Sequence, residues 1–126
     1  MDHPQLGPIH YIAPEGVWVG KTPEGHEICI LGDSFEDAPD PDCEALAVRE
    51  LSDLGGLLAR IEAFLATARE PYLDQWAGRR WEVLSLVFSK QEGRPTFIAE
   101  YLLERDDYTV WQVRVKDWLP VALGRR

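Results

Sequence analysis

Residues 80–118 constrain this chain more than any other stretch. They read as WEVLSLVF, a polar turn at KQEGR, PTFIAEYLLE, a second turn at RDD, then YTVWQVRVKDW. Trp111, Val113 and Val115 alternate with Gln112, Arg114 and Lys116, the period-2 pattern of a strand with one buried and one wet face. The strand before it is greasier. Leu84, Leu86 and Phe88 share one side and Trp81, Val83 and Val87 the other, which predicts a central strand covered on both faces. Three successive strands joined by short turns make an antiparallel meander, and its apolar side needs a cover.

The cover is read from residues 52–69. Leu54, Leu57, Leu58, Ile61, Phe64, Leu65 and Ala68 recur at the spacing of an amphipathic helix. Ser52 suits its N-cap, Gly55-Gly56 weaken its first turn, and Pro71 ends it. The expected architecture is therefore α+β: an antiparallel meander sheet with one main helix packed on one face. At 126 residues and 45% apolar, residues 1–126 suit one domain with one core.

Upstream, Ile9–Ala13, Val17–Gly20 and Glu27–Leu31 are strand-like segments divided by turns at Pro14-Glu15-Gly16 and Thr22-Pro23-Glu24-Gly25. They form a second small meander, and the pattern leaves open whether it joins the main sheet. Residues 43–50, CEALAVRE, read equally as strand or helical turn.

Charge is unevenly spread. The formal net charge is −9, and residues 1–56 alone carry −10. A surface of this sign repels phosphate backbones and anionic lipid, so nucleic acid and membrane are not expected partners, whereas a basic protein is. The acids concentrate in a loop over residues 32–42, GDSFEDAPDPD, too polar to be core. Its Asp33, Glu36, Asp37, Asp40 and Asp42 lack the glycine and terminal glutamate of a calcium-binding loop, so they read as a solvated protein-contact surface rather than a metal site. His3, His10 and His26 are scattered, and His26 and Cys29 would point to opposite faces of a strand. No metal or cofactor is expected.

No nucleophile elbow, phosphate-binding loop or dinucleotide fingerprint is present. Glu100 and Glu104 read as wet-face strand residues rather than as a catalytic carboxylate pair. Cys29 and Cys43 have no motif spacing and read as free thiols of a cytoplasmic protein, consistent with an N-terminus that has no signal-peptide pattern. Five tryptophans are many for this length. Trp81 and Trp111 fit a core, while Trp76 and Trp118, in polar surroundings, are candidate interface anchors.

The run Asp106-Asp107-Tyr108-Thr109-Val110-Trp111-Gln112-Val113, with Pro120 and Arg125-Arg126 after it, resembles the ending of small bacterial immunity-protein-like families, the antidotes of polymorphic toxin systems. The resemblance covers about 20 residues closely and the last 75 or so loosely. It implies a non-catalytic cytoplasmic inhibitor that masks a toxin by steric and electrostatic occlusion, and it carries no catalytic residues. The alternative is a small enzyme or small-molecule binder with its pocket between helix and sheet.

Overall fold

One sheet runs through the whole chain. The structure, a computed structural model, describes residues 1–33, 38–67 and 78–126, with Asp107 and Tyr108 described by backbone only. The elements in order are β1 (Asp2–His3), β2 (Gly7–Ile12), β3 (Val17–Lys21), β4 (Glu27–Leu31), α1 (Pro41–Leu51), α2 (Leu54–Thr67), β5 (Trp81–Gln91), β6 (Arg94–Leu103), β7 (Asp106–Lys116) and β8 (Leu119–Arg125). The strands lie side by side in chain order as an eight-stranded sheet. Every pairing is antiparallel except β4–β5, where the chain leaves the sheet through α1 and α2 and returns parallel, as a crossover must. The N-terminal strands thus join the main sheet, the point that periodicity left open.

Two helices, not one, pack on the sheet. The ambiguous segment at 43–50 is the body of α1. Asp40 makes it a helix: its carboxylate accepts from the N–H groups of Asp42 (3.0 Å) and Cys43 (3.1 Å), and Pro41 occupies the first turn, where a missing N–H costs nothing. Ser52 is not the N-cap expected from the sequence. It closes α1 instead, its hydroxyl donating to the Arg49 carbonyl at 2.6 Å. Asp53 then starts α2 by accepting from the Gly56 N–H at 3.3 Å. A Cβ on Gly56 would lie 2.5 Å from that carboxylate, so this glycine serves the cap rather than merely weakening the helix.

The core lies between the helices and one face of the sheet. Ile61 and Leu65 of α2, Cys43 and Ala47 of α1, and Ile30, Leu86, Phe88, Phe97, Trp111 and Val113 of the sheet are all buried. Leu58 is half-buried against them. Phe88 and Phe97 stack across the β5–β6 pair with ring centroids 4.3 Å apart, and Trp81 meets Tyr101 and Trp111 edge-on. No helix among the described residues is long and apolar enough to cross a membrane.

Three departures from the sequence reading have local causes. A bulge between Val83 and Ser85 inserts Leu84, which is left exposed and shifts the phase of β5. Trp81 and Val83 before the bulge and Leu86 and Phe88 after it therefore share the helix-covered face, while Val87 lies on the other, where no described element packs. An eighth strand follows Trp118, where the expected meander ended. Asp117 and Trp118, both at positive φ, form the two-residue turn that reverses the chain into it.

Candidate functional site

The register aligns side chains into rows across the sheet face opposite the helices. One row is polar: Lys21, Glu27, Ser85, Glu100 and Gln112 are successive partners from β3 to β7. Beside it runs an apolar row, Val19, Cys29, Val87 and Ile98, with His10 at one end and Arg114 at the other. All four apolar members are half-buried, and none belongs to the packed core. Ile12 and Val17, paired at the β2–β3 end of the face, extend it. Among the described residues, the helices contact the sheet only from the core side.

The polar row is internally bonded. Ser85 Oγ donates to Glu27 Oε1 at 3.3 Å. Glu100 is only 7% exposed, and its Oε2 accepts from Gln112 Nε2 at 3.0 Å and Arg126 Nη1 at 3.2 Å. This corrects the reading of Glu100 as a wet-face residue. Glu104 sits apart at the β6–β7 turn, accepting from the Arg80 N–H at 3.0 Å, and that bond holds its carboxyl below the ordinary range. The two carboxylates do not form a pair.

Cys29 stands in the middle of the apolar row. Burial first, then the negative charges of Glu27, Glu15 and Glu100, push its thiol up to about 11. Cys43, fully buried on the sheet side of α1, is pushed up to about 12 by burial and by Asp40. Both thiols are free, and both are held protonated near neutrality, the state that is a poor nucleophile.

The acids of the expected contact loop divide. Asp40 and Asp42 both reach Lys90 Nζ on β5, at 3.0 and 3.2 Å. Burial raises the Asp40 carboxyl, but its bonds to Lys90 and to the Cys43 N–H outweigh this and hold it low. Asp40 therefore works within the fold, where it caps α1 and ties it to the sheet. Asp33 is half-buried, with its backbone N–H bonded to the Ala38 carbonyl at 2.9 Å. Glu36, Asp37 and Trp76 lie outside the described residues.

Trp118 is also engaged internally. It is half-buried, its indole N–H donates to the Glu50 carbonyl at 3.2 Å, and its backbone N–H donates to Glu50 Oε2 at 3.1 Å. The Arg49 guanidinium lies 5.5 Å from the ring centroid and bridges to Asp117. Glu50 is wholly buried, and burial raises its carboxyl above the ordinary value. This cluster clamps the β7–β8 turn onto the end of α1.

A cleft of about 520 Å³ opens at the strand ends beside Arg80, Trp81, Glu104 and Arg105. A cleft of about 350 Å³ lies between the sheet end and the α1–α2 junction, lined by Leu6, Thr22, Ile28, Leu51 and Leu54 among others. Among the described residues, no three His, Cys, Asp or Glu side chains are grouped to hold a metal ion.

No protein-family model, no curated protein and no solved structure matches this chain.

The apolar row was missed by sequence reasoning, which sought function in the charged loop. Its signal was present in the phase of Val87 in β5 and in the valines Val17 and Val19 alternating with Trp18. Such a phase is indistinguishable from a second core face until a register places it opposite the helices.

Proposed function

We propose that this chain is a non-catalytic binding protein that acts by covering a partner, in the manner of the immunity-protein-like families its C-terminal strand resembles. One observation carries the proposal. A sheet face with a row of half-buried aliphatic side chains, framed by a bonded polar row, has no described element packed on it. Exposed apolar surface framed by polar groups is characteristic of protein contact sites. The raised thiols and the internally engaged Glu50, Glu100 and Glu104 give these groups structural work rather than catalytic work.

The resemblance makes the partner a basic toxin domain, occluded sterically and electrostatically, and fits action in the cytoplasm. The test is affinity capture from the source lysate with the tagged chain, read together with native mass spectrometry of the purified protein. Stoichiometric retention of one protein supports the proposal. A retained small molecule and no protein would favour a ligand binder, for which the cleft at the α1–α2 junction is a site among the described residues.

A further inference from the structure

The turn between β1 and β2 hangs on one imidazole. It consists of Pro4, Gln5 and Leu6, and proline has no N–H, so the turn has two backbone donors to satisfy. Both end on the same atom: His3 Nδ1 accepts from the N–H of Gln5 and of Leu6, each at 3.1 Å. The other ring nitrogen, Nε2, lies 3.1 Å from Glu44 Oε2 on α1. Two donors aimed at Nδ1 leave it no room for a hydrogen, so the neutral ring carries its hydrogen on Nε2 and donates to Glu44. The His3 side chain is only 8% exposed, so water has little access to replace either partner.

What the turn holds is Leu6. This side chain is buried in the core and forms one wall of the cleft of about 350 Å³ at the α1–α2 junction, with Thr22, Ile28, Leu51 and Leu54. β1 itself is two residues long, paired to β2 through Asp2–Pro8 and His3–Gly7. So short a strand does little to keep the turn in place once the ring lets go.

A second proton on the ring has to sit on Nδ1, facing two N–H groups. Imidazolium donates at both nitrogens and accepts at neither. It cannot keep Gln5 and Leu6, whereas its bond to Glu44 becomes charge-assisted and stronger. The charged groups described at this end are Glu44 from α1, Asp2 beside the ring on β1, and Glu24 and Asp53 on the rim of the cleft. The Met1 amino group is engaged by the Ile9 carbonyl at 2.9 Å. The carboxylates favour uptake of the proton, and the two turn N–H groups oppose it.

We propose that His3 is a pH-sensitive latch: protonation of its ring releases the turn at Gln5 and Leu6, leaves the ring on Glu44, and unseats Leu6 so that the apolar cleft at the α1–α2 junction opens. The device is independent of what the chain binds.

Amide hydrogen exchange of the full chain, followed residue by residue by NMR and corrected for the intrinsic effect of pH, is the test. Between about pH 8 and about pH 5, the span in which imidazoles titrate, protection of Gln5 and Leu6 should fall about tenfold or more, in step with the His3 ring signals. The Leu6 methyl signals should move toward those of a solvated leucine, while the amides of β5 and β6 keep their protection. Glu44→Gln removes the carboxylate that draws the proton and should move the fall to lower pH. His3→Asn is the decisive variant. Asparagine Oδ1 takes the place of Nδ1, accepts from the N–H groups two and three residues on, and does not titrate. Its Leu6 protection should stay flat across the same range.

Protection of Gln5 and Leu6 that holds while the ring titrates would overturn the latch, as would a ring that stays neutral down to about pH 5. A fall in His3→Asn equal to that of wild type would overturn it as well. So would a matching loss across β5 and β6, which would mean global unfolding rather than release of one turn.

Discussion

The two faces of this sheet have similar residues and different fates. On the helix side, Ile30, Leu86, Phe88 and Phe97 are at most 1% exposed, locked under α1 and α2. On the other side Cys29, Val87 and Ile98, their immediate chain neighbours, are half-exposed. Hydrophobicity does not separate them, since valine and isoleucine occur on both. What separates them is whether a crossover connection leaves a helix there. The chain leaves the sheet once, between β4 and β5, and both helices land on one side. One face is therefore covered by the two helices, and no described element packs on the other.

The largest effects should come from the covered face. Ile61→Ala removes a fully buried side chain of α2 and should cost about 2–5 kcal/mol in denaturant unfolding. A loss below about 0.5 kcal/mol would mean that α2 does not cover the sheet.

The clamp at Glu50 should be next. Glu50→Ala orphans the Trp118 N–H and should cost about 1–3 kcal/mol. Glu50→Gln keeps an acceptor without the buried charge. Because burial raises the Glu50 carboxyl in the fold, the folded state binds its proton more tightly than the unfolded chain. Its contribution to stability is therefore present below the ordinary carboxylate value of about 4.5 and is lost as pH rises through the raised one. Glu50→Gln should remove that slope from the stability–pH curve above about 4.5, and an unchanged slope would refute the assignment.

A smaller loss is expected at the helix cap. Asp40→Ala should cost about 1 kcal/mol, and Asp40→Asn less, because asparagine caps as well as aspartate. Equal losses for the two would place the value of Asp40 in its bond to Lys90 rather than in the cap.

The antiparallel meander, a helix read over 52–69 and described over 54–67, and the burial of Trp111, Val113, Ile61 and Leu65 were legible because each rests on a local period that the tertiary structure keeps. Other features were not. The phase of β5 flips at Leu84, and no local rule announces a bulge between two apolar residues. Trp118 at positive φ makes an unusual turn, tolerated because Glu50 and Arg49 hold it, and those partners are 68 and 69 residues away. Asp40 and Asp42 looked like solvated loop charges because Lys90, their partner, is distant in sequence. The apolar row of the second face was hidden for a related reason: β4 and β5 meet only through a long crossover, so Cys29 and Val87 become neighbours only in the fold.

A matched pair of lysine substitutions on adjoining strands tests the division between the faces most directly. Leu86 and Ile98 lie on β5 and β6, on opposite sides of the sheet, one fully buried and one half-exposed. Leu86→Lys should abolish cooperative folding or cost more than about 4 kcal/mol, because an unpaired charge enters the core. Ile98→Lys should stay within about 1 kcal/mol of wild type, its ammonium reaching water from a face on which no described element packs. Comparable losses for the two in the same denaturant series would show that the second face is covered as well, and would contradict the account.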